Sequence, residues 1–250
     1  MNCASESKEQ VDLAVVFEDN HIIVVIKPQN VPCCPDETKD LDLLTQIKEH
    51  IKISESKQGG VYCGLVHRLD RVTGGVMVYA KTSKAAARLS EQIKDGTFEK
   101  TYLAVVVGEP KHRQAQLVDY LYKNEAKNTV SVVPFATTGA KRAELNYKVI
   151  NIQKQVSLIS VKLVTGRSHQ IRVQMANIGN PIFGDAKYGG DKLGKGWNIA
   201  LWAQELRFVH PTTGDVMKFV VNPPETVPWT SFDFDRKSHK NVPTNGGDKE

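Results

Sequence analysis

The sequence is short of the residues that staple, coordinate or span. Four cysteines (Cys3, Cys33, Cys34 and Cys63) occur in 250 residues. They form no C-x-x-C pair and have no neighbouring histidines at zinc-ligand spacing, so no metal site is expected, and with no nucleotide-cofactor fingerprint in the sequence no bound cofactor is expected either. Thiols this sparse fit free cysteines in a reducing cytosol, which makes the cytoplasm the expected location. No apolar run is long enough to cross a bilayer. The opening MNCASESKEQVD is polar and partly acidic, unlike a secretory signal. No glycine-rich phosphate loop and no G-x-S-x-G elbow are present, which removes the usual signatures of a kinase and of an α/β hydrolase. Internal repeats are also lacking.

What remains is ordinary globular material, 40% hydrophobic and 24% charged, in a length that buries a substantial core. A net charge of +5 and a pI near 8.9 suit a polyanionic partner without demanding one.

Residues 14–17 and 22–26 are β-branched runs around Glu18-Asp19-Asn20-His21, predicting a hairpin that Pro28 ends. Leu41, Leu44, Ile47 and Ile51 recur at helical spacing behind Asp40, the expected N-cap. Strands are predicted at 76–80 and 101–107, with a helix from the Thr82-Ser83 cap through Ile93 and Gly96 at its end. Residues 143–150 and 156–164 predict an antiparallel pair, 168–177 a helix stopped by Gly179, and 201–208 with 216–221 a last hairpin. Strands pairing mostly with sequence neighbours, with few helices between, indicate an α+β class with a mixed, largely antiparallel sheet and flanking helices. One domain over 14–234 is expected. Residues 1–13 read as a polar N-terminal segment, and 235–250, polar and lysine-rich with Asn245-Gly246-Gly247-Asp248 near its end, as a mobile tail.

Three segments carry candidate chemistry. In Gly64-Leu65-Val66-His67-Arg68-Leu69-Asp70-Arg71-Val72-Thr73-Gly74-Gly75 a carboxylate stands among cations, which favour the charged form needed for attack or proton removal. Such a stretch reads equally as a surface ion-pair cluster. In Thr165-Gly166-Arg167-Ser168-His169-Gln170-Ile171-Arg172 two arginines flank a predicted helix start, whose free N–H groups and dipole suit a phosphate. It also reads as an ordinary polar helix start with exposed arginines. Tyr102, in Glu99-Lys100-Thr101-Tyr102, begins a strand and by itself is a core tyrosine with a polar tip.

Together and in this order the segments resemble the RluA family of pseudouridine synthases. Its histidine-arginine-leucine-aspartate motif is matched at 67–75 and its lysine-x-tyrosine strand at 100–102. Its glycine-arginine-threonine-histidine-glutamine-isoleucine-arginine motif is matched at 166–172, and its glycine-x-proline-isoleucine-x-glycine-aspartate stretch at 179–185, followed by Tyr188-Gly189. The resemblance runs from about residue 15 to 224. Five positions depart from it: Gly74 replaces the usual serine, Ser168 replaces a threonine in a change that still caps the helix, and Gln174, Asn180 and Trp202 stand where histidines are common. The extra N-terminal RNA-binding domain of some relatives is not expected, since the first strand begins so early.

The resemblance implies the pseudouridine synthase fold with a central basic RNA-binding cleft, acting without cofactor on ribosomal or transfer RNA. It implies Asp70 as the catalytic carboxylate, Arg172 as its partner and Tyr102 as a surface that stacks on the target base. Arg68 would fill the space left by a flipped uridine, while Arg167 and His169 would contact phosphates. A monomer without membrane contact is expected. A non-catalytic RNA-binding protein that kept the fold is the competing reading. A hydrolase using Ser168 and His169 is disfavoured, because sequence neighbours on one helix cannot easily place the serine oxygen against the imidazole.

Overall fold

The computed structural model describes residues 13–190 and 194–233, together with the backbone of Val242–Thr244. The polar N-terminal segment and most of the expected C-terminal tail lie outside the described residues.

The chain opens with the expected hairpin, β1 (Val15–Glu18) and β2 (Ile22–Lys27). Asp19 shapes its turn by accepting the backbone N–H groups of His21 and Ile22, each at 2.7 Å, the local bonding that makes aspartate a turn residue. Helix α1 (Leu43–Ser54) follows. Its N-cap is Asp42, which accepts Thr45 N–H at 3.0 Å. Asp40 was expected there, but it pairs with Arg71 instead. Next come a two-residue strand β3 (Gly64–Leu65) and β4 (Gly74–Ala80), all seven residues of which are buried. Helix α2 (Ser83–Asp95) runs from its Thr82 cap to Gly96, left-handed at φ 82°.

Strand β5 (Glu99–Val107) leads into β6 (Gln114–Asn124) and β7 (Thr129–Val133), a hairpin the sequence reading did not anticipate. Then come β8 (Lys141–Gln153), β9 (Val156–Leu163), helix α3 (Gln170–Asn177), β10 (Leu201–Val209) and β11 (Val216–Val220). A last strand, β12 (Val242–Thr244), pairs with β11 inside the segment expected to be a tail.

The strands form one sheet whose main path runs β1-β2-β4-β10-β5-β9-β8-β6-β7. Pairing is antiparallel except between β4 and β10. Sequence-neighbour pairing therefore fails at the centre, where β10 inserts between β4 and β5. Glycines make that insertion possible. Trp202 and Ala203 lie opposite Gly74 and Gly75. A Cβ on Gly75, at φ 129°, would lie 2.3 Å from the Ala203 carbonyl oxygen, and one on Gly74 would lie 2.4 Å from the Trp202 ring. The Trp202 indole thus occupies the space a side chain at 74 would need.

Helix α2 packs on β4, β3 and β10, and α3 on β6 and β7. One large apolar core runs through β2, β4, β5, β9 and β10, and a small satellite of Leu121, Val130, Ala143 and Val173 sits beneath α3. Among the described residues no helix is long and apolar enough to cross a membrane.

Candidate active site

Three stretches of chain converge beside the glycine-bounded start of β4: residues 67–73, helix α3 and the turn 181–190. In the first, burial alternates. His67 and Leu69 point inward, Arg68 is exposed and Asp70 is partly open. His67 is no cation for Asp70. Its Nε2 accepts Val78 N–H at 3.2 Å and its ring packs 5.4 Å from that of Phe98. Burial drives its pKa well below the ordinary imidazole value, with Lys100 adding to the effect. Arg71 likewise turns away, bonding the Asn30 carbonyl, Thr38 and Asp40. The expectation that adjacent cations surround the carboxylate is therefore corrected for two of the three: His67 serves the core and Arg71 a separate surface network.

The partner of Asp70 comes from 102 residues away. Arg172 Nη1 donates to Asp70 Oδ2 at 3.2 Å. The same guanidinium makes a two-pronged contact with Asp185, Nε to Oδ2 and Nη2 to Oδ1, both at 2.8 Å. Burial opposes the charge on Arg172, but the Asp185 and Asp70 carboxylates more than offset it and raise the pKa above its usual value. The two carboxylates differ in access: the side chain of Asp185 is 0% exposed and that of Asp70 is 25% exposed. Asp185 is sealed behind the arginine and further held by the N–H groups of Lys187 and Tyr188. Asp70 alone of the pair can meet an outside molecule.

The loop carrying Asp70 is pinned from beneath. Lys27 is fully buried, and its ammonium donates to the carbonyls of Pro28 (2.8 Å), Val31 (2.7 Å) and Arg71 (2.9 Å). Burial pulls its pKa down to about 8, although the nearby Cys33 and Asp70 act in the opposite direction. Cys33 Sγ lies 3.2 Å from the Leu69 carbonyl oxygen and 3.4 Å from the Leu69 nitrogen. Thr73 N–H closes the turn on the Asp70 carbonyl at 2.9 Å. Backbone on both sides of Asp70 is thereby fixed before any ligand arrives.

Tyr102 is buried on β5. Burial, with the charge of Asp70 second, raises its pKa, so the phenol stays protonated at neutral pH. Lys100, two residues earlier and therefore on the same strand face, is half-buried with its ammonium 5.6 Å from the centre of the Phe98 ring. Burial lowers its pKa as well.

The turn before α3 differs from expectation. Ser168 does not cap the helix. His169 occupies the N-cap position with left-handed backbone (φ 53°) and makes no side-chain cap bond. The turn is braced instead by Gln170 Oε1, which accepts from Arg167 N–H at 3.0 Å and the Thr165 hydroxyl at 2.8 Å. Arg167 is exposed, its Nε on the Arg142 carbonyl at 3.0 Å. His169 Nδ1 lies 2.6 Å from the Tyr188 hydroxyl, whose oxygen already accepts Val130 N–H at 2.9 Å. We assign the phenol proton to this Nδ1, which places the imidazole proton on Nε2. Burial depresses the His169 pKa, the charges of Asp70 and Arg172 acting in opposite senses. Tyr188 also lies under Arg172, guanidinium to ring centre 5.1 Å.

Asp70, Arg172 and Tyr102 are thus brought together, while Arg68 and Arg167 stand exposed. Sequence reasoning assigned no role to Asp185, Tyr188, Lys27 or Cys33. Asp185 and Tyr188 lie in the recognised 179–189 stretch, so a signal for them existed; Lys27 and Cys33 offered none that could be separated from strand and loop residues.

A partly open carboxylate held by a buried arginine, beside a protonated phenol, is an arrangement capable of acid–base or nucleophilic chemistry. The chain matches the RNA pseudouridylate synthase family model over residues 21–177, and it belongs to that family of isomerases, in its RluA branch. It is 34% identical over 232 residues to ribosomal large subunit pseudouridine synthase D of Zymomonas mobilis, covering 89% of this chain and 73% of that one. It is 33% identical to the uncharacterized RNA pseudouridine synthase YhcT of Bacillus subtilis, covering 84% of this chain and 68% of that one. Its fold matches the solved human RNA pseudouridylate synthase domain containing 4 with a TM-score of 0.71 at 22% identity, over 84% of this chain and 88% of that one.

Proposed function

We propose that this protein converts uridine to pseudouridine in large-subunit ribosomal RNA, with Asp70 as the catalytic carboxylate. The RNA class is suggested by relatives named for the large ribosomal subunit. The observation that carries the Asp70 assignment is the 3.2 Å bond from Arg172 to a carboxylate that is still one-quarter exposed.

In this reading the reaction cleaves the N1–C1′ bond of the target uridine, turns the base and joins C5 to C1′. N1 gains a proton and the C5 proton leaves, so atoms balance and no electrons are exchanged. Asp70 acts at the sugar, either by attack on C1′ or by taking the C2′ proton; both routes need the same oriented oxygen. Arg172 aims that oxygen and supplies its counter-charge, with Asp185 holding the guanidinium from behind. Tyr102 stacks on the detached base and retains it while it turns. Extrusion of the nucleotide costs on the order of a few kcal/mol, least in a loop, and Arg68 fills the vacated stack. Arg167, His169 and Lys100 contact the RNA backbone. His169 does so as a neutral N–H donor at pH 7, since its pKa is depressed. The protein acts as a monomer.

Asp70→Asn tests the assignment. The variant should fold and bind unmodified ribosomal RNA as the parent does, yet release no tritium from C5-labelled uridine. Turnover near the parent rate would remove the carboxylate from its role. An inactive parent enzyme on ribosomal RNA and transfer RNA alike would favour the competing reading, an RNA-binding protein without catalysis.

A further inference from the structure

The chain has three tryptophans. Trp202 and Trp229 are buried, whereas Trp197 is 52% exposed. We infer that Trp197 is a stacking platform for a nucleotide flanking the target uridine, a binding contact that belongs to the rim of the site and is separate from the groups that do chemistry. The inference rests on the proposed RNA activity and extends it to one substrate contact.

Position supports it. The backbone around Trp197 touches both sides of the site. Its carbonyl oxygen and that of Asn198 would lie 3.1 Å and 2.5 Å from a Cβ on Gly184, the residue before Asp185. On the other side, Asn198 Oδ1 accepts from Asn30 Nδ2 at 3.0 Å, and the Asn30 carbonyl holds Arg71, the residue after Asp70. The loop that carries Trp197 therefore reaches both carboxylate segments, and its indole is left half exposed there.

Rigidity supports it as well. Gln29 Nε2 joins the Ile199 carbonyl at 2.7 Å to the Val72 carbonyl at 3.2 Å. Ala200 N–H bonds the Phe183 carbonyl at 2.9 Å, and Trp197 N–H bonds the Gly194 carbonyl at 3.0 Å. A large aromatic ring left exposed on a fixed backbone loses little conformational freedom when a flat partner covers it. Opening the RNA around a flipped uridine also unstacks a flanking nucleotide beyond the gap that Arg68 fills, and such a ring suits its bared face whatever the base. Phe135 is more exposed, but it sits between β7 and β8, tilted against Tyr120 at 6.0 Å, and has no comparable link to either carboxylate segment.

The test uses the full chain and large-subunit ribosomal RNA transcribed in vitro, hence unmodified. Red-edge excitation reports tryptophan alone, and acrylamide reaches an exposed indole more readily than two buried ones. Saturating RNA should quench the emission and shield it from acrylamide, and Trp197→Phe should abolish both changes. Trp197→Ala should raise KM roughly tenfold with kcat unchanged, and Trp197→Phe should restore most of the loss. Unaltered acrylamide access under saturating RNA, a parental KM for Trp197→Ala, or a loss confined to kcat would each overturn the inference. Tritium release by the parent enzyme on the same RNA tests the function separately: turnover with a silent Trp197 rejects the stacking contact alone.

Discussion

The floor and the rim of this site are built by opposite means. Under Asp70, three buried groups are multiply bonded: Lys27 spans three carbonyls, Cys33 brackets Leu69, and Arg172 grips Asp185 with two nitrogens. Around the rim, Arg68 and Arg167 are exposed and His169 is half-buried. On the proposed function, the difference separates residues that set geometry from residues that set affinity. A buried network must be fully satisfied to be tolerated, so it holds one arrangement. An exposed cation is screened and solvated, so it contributes attraction without precision.

The strongest way to break the floor is Asp185→Asn. It leaves a buried guanidinium short of one carboxylate, and loss of one partner of a buried pair costs about 3–5 kcal/mol. Thermal denaturation should show that loss together with near-complete loss of tritium release. Lys27→Met comes next. Three carbonyls lose their donor while Asp70 keeps its chemistry, so kcat should fall on the order of a hundredfold with KM nearly constant. A purely affinity-based defect in that variant would place Lys27 outside the floor.

A smaller effect follows from pH. Folded His67 and His169 bind protons more weakly than an unfolded imidazole. Between their depressed folded values and the unfolded value of about 6.5, the unfolded chain carries more protons, so stability falls as pH drops below about 6.5. Denaturant titrations from pH 7.5 to 5 should record the decline, with a shallower slope in His67→Gln. The smallest expected effect belongs to the rim: Arg167→Ala should weaken RNA binding at low salt and reduce the slope of log affinity against log salt by roughly 0.7–1, leaving kcat as it was. A large kcat defect there would erase the distinction between rim and floor.

Local chemistry made much of the fold legible. Asp19, Thr82 and Gly96 act in the structure as their residue types dictate, because turn and cap bonds lie within a few residues. The two capping errors share a cause. Asp40 and Asp42 are equivalent in sequence, and only the tertiary position of Arg71 draws Asp40 away. Ser168 yields to a left-handed His169, whose ring is held by Tyr188 from a distant turn while Gln170 of α3 itself bonds the Arg167 N–H. Strand β6 was missed although Ala115, Leu117 and Leu121 alternate along it; Asp119, on the same face, is bonded by Gln174 at 2.7 Å and interrupts the apolar pattern.

The motifs identified Asp70, Tyr102 and Arg172 as belonging to one site before any distance between them was known. They could not reveal that His67 and Arg71 abandon Asp70, since whether a side chain faces inward depends on what the rest of the chain packs against it.

By itself the sequence determined the α+β class, the chain's place among RNA pseudouridine synthases and the residues worth examining, because periodicity, caps and ordered motifs are local properties. Only the tertiary structure decided that β10 enters between β4 and β5, that Asp185 is the hidden second carboxylate and that Lys27 underpins the loop. Each of these is a contact between segments distant in the chain, and hydrogen-bond satisfaction and packing across such distances exist only once the sheet has closed around them.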